Sequence, residues 1–115
     1  MSKRSDAEYL NDIREAINRI QAYTKDLDYP KFVKDIKTQD AVVRNLEIIG
    51  EAVKNISRGL QSKHKEVAWK DLAQVRDKLI HHYFGVNFDI VWGIIEDSLP
   101  KIFIQINQIL IEDDL

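Results

Sequence analysis

The chain reads as all-α, an antiparallel four-helix bundle with an additional short helix. Three observations carry this expectation. Apolar residues recur at helical spacing in Leu10, Ile13, Ile17, Ile20 and Leu27, and again in Val42, Leu46, Ile49, Val53 and Ile56. A third stripe runs through Phe88, Val91, Ile95, Leu99, Ile102, Ile106 and Ile109. No strand-like alternation, internal repeat or low-complexity tract interrupts them.

The first helix starts at a capping box, Ser5 followed three residues later by Glu8, and its stripe extends to about Leu27. Tyr29-Pro30 breaks it, and Pro30 can open a short helical piece through Ile36 because proline is tolerated in a first turn. The second long helix is expected from about Gln39, after Thr38, to Ser57, with Gly59 as its C-terminal stop. Gly50 inside it costs about 1 kcal/mol relative to alanine, so close packing of another helix is its expected reason.

Leu60 to Val67 reads as a polar connector with room for one helical turn. Leu72, Val75 and Leu79 then mark an amphipathic helix from Asp71 to about Tyr83. Gly85 and Asn87 supply a stop and a new N-cap. In the last helix Ile90, Ile94, Phe103, Ile104 and Leu110 widen the apolar face beyond what one small bundle buries, so some of it should meet a partner. Pro100 should kink this helix, since it removes the bond to the carbonyl of Glu96. The acidic end, Glu112 to Leu115, is expected to fray.

With 115 residues and 44% hydrophobic content, the expectation is a single domain spanning 1–115 around one modest core. The absence of cysteine excludes disulfides and thiolate metal sites. No run approaches a membrane span and the first residues lack an apolar targeting core, so a soluble cytoplasmic protein without membrane contact is the default. A formal net charge of −2 argues against indiscriminate nucleic-acid binding. Charge is unevenly spread, however: Arg58 to His82 carries a net +3 and all three histidines, and Tyr83 onward carries −5. The basic stretch is compatible with a phosphate-bearing ligand.

Within that stretch lies RDKLIHHYFG, Arg76 to Gly85, the densest gathering of chemically able side chains. Asp77 and His81 are i, i+4 neighbours on a helix, so the carboxylate can orient the imidazole and favour its protonated form. Arg76 and Tyr83, seven apart, share a face as well. Arg76 and His81, five apart, point about 140° away from each other on a straight helix. Either the helix is distorted near His81, or the working site joins two copies of the segment across a dimer axis. Taken without their order, these residues could also be a solvated face, a histidine pair at a helix end and core aromatics.

Arg76, four residues, His81, one residue and Tyr83 resembles the R-x4-H-x-Y signature of HepT-type toxins in the HEPN family. Two further blocks resemble that family in order: Asp40 to Ser57, and Ala68 to Ile95. The resemblance implies a metal-independent ribonuclease acting as a homodimer, with Arg76 and His81 catalytic and the paired motifs lining one cleft. Asp77 would support His81; His82 fits the looser family pattern, but Tyr83 selects His81. The resemblance further implies adenylylation of Tyr83 by a MntA-like nucleotidyltransferase antitoxin, an RNA substrate and no cofactor. A non-catalytic helical partner of a nucleotidyltransferase is the alternative from another class, and a purely structural dimerisation bundle a third. Glu47 and Glu51 raise a di-iron reading, but the Glu-x-x-His motifs such sites need are absent. Glu51 is therefore read as a surface residue or an ion-pair partner for Arg76. Trp69 and Trp92 are read as core anchors.

Overall fold

The computed structural model describes residues 4–80 and 87–115, with the side chains of residues 76, 79 and 80 outside the description. All regular structure in the described residues is helical: α1 (Asp6–Thr24), α2 (Tyr29–Phe32), α3 (Ile36–Asn55), α4 (Arg58–Lys63), α5 (Trp69–Ala73), α6 (Val75–Ile80), α7 (Phe88–Gly93) and α8 (Leu99–Glu112). Long helices α1 and α3 lie against each other, α8 packs on α1, and α5 and α6 pack on α3. This all-α arrangement is compatible with the expected bundle.

The capping box forms as the sequence dictates, Ser5 Oγ accepting from the Glu8 N–H and Glu8 from the Ser5 N–H. Asp6, in the first turn of α1, accepts hydrogen bonds from the backbone N–H and hydroxyl of Ser57 at 2.9 and 2.6 Å. The start of α1 is thereby pinned to the end of α3, which fixes the two helices as antiparallel. Leu10, Ile13, Ile17 and Ile20 of α1 meet Val42, Leu46, Ile49 and Val53 of α3 in one buried core. Burial of such side chains stabilises by about 1.5–3 kcal/mol each. Leu27, placed in the first helix by its spacing, lies beyond it and packs against the core half-buried.

Several boundaries differ from expectation. Asp35 caps α3, accepting from the Thr38 N–H and hydroxyl, so the helix starts at Ile36, ahead of the expected Gln39. The short helix closes at Phe32, short of Ile36, with Asp28 as its cap. Gly59 does not stop α3. The helix ends at Asn55, Ile56 turns extended, and Ser57 caps α4, which places Gly59 inside a helix and supplies the helical turn that the connector left room for.

Pro100 is accommodated by a π-helical turn, Ile94–Ser98, in which the Leu99 N–H reaches back to the Ile94 carbonyl. The expected distortion is present as a widened turn, and the stripe Val91, Ile95, Leu99, Ile102, Ile106 and Ile109 stays buried through it. Of the residues thought to widen the last helix, Leu110 belongs to the chain's own core, whereas Ile90 and Ile104 are exposed. The acidic end is not frayed at Asp113, whose carboxylate meets Lys63 and His64. No helix of the described residues is long and apolar enough to cross a membrane.

Candidate functional site

Helices α5 and α6, which lead into the motif segment, are held by α3. A Cβ added at Gly50 would lie 3.3 Å from the Leu72 carbonyl oxygen and 3.7 Å from Val75 Cγ1. The glycine thus lets the backbone of α5 rest directly on α3, which is the close packing its presence in a helix implied. Trp69, Leu72 and Val75 are buried, and the Trp69 indole N–H donates to the His64 carbonyl at 2.9 Å. Trp69 is the expected anchor.

The described part of the single helix expected from Asp71 to about Tyr83 is two helices, α5 and α6. At Gln74 the backbone leaves the helical region (φ −98°, ψ 2°), and its N–H turns back to the Lys70 carbonyl. α6 then restarts at Val75, with the Lys78 N–H bonded to the Gln74 carbonyl. Lys78 Nζ reaches Asp71 Oδ1 across the break at 3.2 Å. The break precedes Arg76, and His81 lies outside the described residues.

Arg76 sits in the first turn of α6, and Asp77 beside it is exposed. A carboxylate in a first helical turn is favoured by the unsatisfied N–H groups there. The side chain of Arg76, and His81, His82, Tyr83, Phe84 and Gly85, lie outside the described residues, as does a contact of Arg76 with Glu51. Glu51 itself is exposed, with Lys54 Nζ at 3.8 Å, and Glu47 has Arg44 at 4.0 Å. The described residues contain no cluster of three His, Asp or Glu able to hold a metal ion.

Downstream of the motif, Asn87 caps α7 as expected, its Oδ1 accepting from the N–H groups of Asp89 and Ile90 at 3.0 and 3.2 Å. Phe32, fully buried, meets Phe88 edge-on at 5.9 Å and Trp92 at 5.1 Å, while the Tyr29 hydroxyl donates to Asp89. That carboxylate raises the Tyr29 pKa above the usual phenol value, with partial desolvation adding to it. Helix α2, which the sequence marked only through its proline, therefore supplies the aromatic seat for α7. Both flanks of residues 81–86 are fixed to the core by tryptophan-centred contacts.

No sequence pattern assigns a role to His64. It is buried, with Nε2 2.9 Å from Asp113 Oδ2 and Nδ1 3.6 Å from Glu66 Oε1. Its partner Asp113 lies 49 positions away, so no local pattern marks the pair.

A family model described as ribonuclease HepT-like matches residues 13–109, which include the whole motif. A Methanocaldococcus jannaschii protein provisionally named an RNase is 44% identical over 110 residues, 96% of this chain and 91% of that protein. A Thermococcus cleftensis protein named probable ribonuclease HepT is 46% identical over 87% of this chain and 91% of its own length. A provisionally named RNase of Caldanaerobacter subterraneus subsp. tengcongensis is 44% identical over 89% of this chain and 91% of its own length. No solved structure matches significantly. With a family match over most of its length and relatives of this identity, the chain belongs to the HepT-like family of ribonucleases.

Proposed function

We propose that this ribonuclease is the toxin of a toxin–antitoxin pair, a single-domain cytoplasmic protein that cuts RNA without metal at a site built from two copies of the chain. The observation that carries the proposal is the ordered motif Arg76, His81 and Tyr83 inside the region that matches the ribonuclease family. The helical divergence of Arg76 and His81 supports a composite site, because one α-helix does not bring the two groups together.

In this scheme a His81 imidazole takes the proton of the ribose 2′-hydroxyl as the 2′-oxygen attacks phosphorus. The bond from phosphorus to the 5′-oxygen breaks, and an imidazolium, from the second copy of the motif, protonates that leaving oxygen. The products are a 2′,3′-cyclic phosphate and a free 5′-hydroxyl. Arg76 holds the scissile phosphate and stabilises charge on its non-bridging oxygens, which a bidentate guanidinium does well. Asp77, four residues before His81 in sequence and exposed on α6, orients the imidazole in this scheme, with His82 in a supporting role.

Tyr83 is the control point. A MntA-like nucleotidyltransferase transfers AMP from ATP to its phenolic oxygen, releasing pyrophosphate, and the added anion repels and occludes the RNA phosphate. The test is cleavage of RNA by the purified chain in excess chelator. Persistent cleavage leaving cyclic-phosphate ends is expected. Loss of turnover in EDTA with recovery in magnesium would point to a metal-dependent nuclease and away from His81.

A further inference from the structure

An open cavity of about 400 Å³ lies where α4 meets α5, bordered by Gln61, Ser62, Lys65, Trp69, Lys70 and Asp71. Lys65 and Lys70 are exposed, and neither has a carboxylate at ion-pair distance among the described residues. Asp71, the acid on this border, is already engaged by Lys78. Glu66, the neighbouring acid in sequence, faces His64 Nδ1 at 3.6 Å. Two ammonium groups and the exposed Ser62 hydroxyl are thus left for an incoming anion.

The chemistry of the cavity favours a nucleic-acid backbone over its bases. Trp69, the aromatic residue on its border, is buried and its indole N–H is committed to the His64 carbonyl, so it offers little face for stacking. Lysine ammonium groups bind phosphates as point charges and carry no base readout. The Asp71–Lys78 contact joins this border to α6, the helix that bears Arg76.

We propose that the α4–α5 cavity, through Lys65 and Lys70, binds phosphates of the RNA strand flanking the scissile bond. This rests on the ribonuclease reading and extends its site: Lys65 and Lys70 hold the strand without specifying sequence, and Arg76 and His81 act on one phosphate of it.

The test uses a fluorescent single-stranded 2′-O-methyl RNA, which lacks the attacking hydroxyl, titrated with the wild-type chain and Lys65→Ala/Lys70→Ala over a range of salt. Cleavage of the unmodified RNA is followed in parallel. The double variant should bind more weakly, with a log–log salt slope shallower by about 1.4, the loss of two single-strand phosphate contacts. In cleavage it should raise KM and leave kcat unchanged. Lys25→Ala/Lys34→Ala, which removes two exposed lysines elsewhere, should keep the wild-type slope. Equal affinity and slope in wild type and the first variant, no binding by the wild type, or the same loss in the control pair, would each overturn the proposal. If the slope falls as expected but the wild type cuts no RNA, the ribonuclease mechanism fails and the phosphate site stands. If the wild type cuts RNA and the slope is unchanged, only the phosphate site fails.

Discussion

His64 Nε2 lies 2.9 Å from Asp113 Oδ2, joining the end of α8 to the segment that leads into α5. Lys63 Nζ reaches the other oxygen of the same carboxylate at 2.8 Å, and the His64 carbonyl receives the Trp69 indole. One acidic residue therefore braces the entry to the motif segment. The Asp113 carboxyl is held below the usual carboxylate range, first by the Lys63 hydrogen bond and then by that of His64. A depressed folded-state pKa contributes stability above the unfolded value, and the contribution disappears as pH falls through the folded value. Asp113→Asn should lower the melting temperature by a few degrees at neutral pH, and the gap should close in acid. Melting curves that stay parallel down to strongly acidic pH would show that the carboxylate charge adds nothing.

Gly50 should accept alanine far better than valine. Alanine gains about 1 kcal/mol of helix propensity, set against a Cβ that meets the Leu72 carbonyl at 3.3 Å. Valine adds two methyl groups against the backbone of α5, and overpacking of that kind costs about 1–3 kcal/mol. Chemical denaturation measures both. A Gly50→Val protein as stable as wild type would mean that α5 can move off α3 freely.

Phe32→Ala should be among the most damaging substitutions. The ring is fully buried and forms the seat for Phe88 and Trp92, and loss of such a ring costs about 3–5 kcal/mol. Tyr29→Phe removes only the hydroxyl bonded to Asp89 at a half-buried position and should cost much less. Equal destabilisation by the two would contradict the seat assigned to Phe32.

Tyr83→Phe should retain RNA cleavage and escape neutralisation by a cognate nucleotidyltransferase with ATP. Mass spectrometry of the co-expressed wild type should find AMP on the peptide containing Tyr83. Fully inhibited ribonuclease with unmodified Tyr83 would assign control to docking alone.

What was legible in the sequence had local signals. Ser5 with Glu8, Asn87 before an apolar run and the stripes of α1, α3 and α8 each announce themselves within a few residues, and each is present. The break at Gln74 had no such signal: Leu72, Val75 and Leu79 keep a helical spacing across it, with neither glycine nor proline to mark it. Gly59 misled because the stop it suggests is made earlier, by extended Ile56 and a recapping Ser57. The fastening of Asp113 was hidden by sequence distance. Near the candidate site, Gly50 has the close helix packing that its place inside a helix implies. The motif is carried by the order of Arg76, His81 and Tyr83, which helical periodicity alone does not distinguish.

The most direct test of the account is RNA cleavage by purified Arg76→Ala and His81→Ala beside the wild type, with helical content and oligomeric state recorded on the same samples. Loss of an acid–base group is expected to slow the reaction by about 10²–10⁴-fold. Neither position belongs to the stripe of Leu72, Val75 and Leu79, so each variant should keep the helical content and oligomeric state of the wild type. Cleavage reduced by about 10²–10⁴-fold in His81→Ala and by about 10²–10³-fold in Arg76→Ala, which loses a charge-stabilising donor, on an intact fold, is the predicted result. Full activity in either variant would contradict the account.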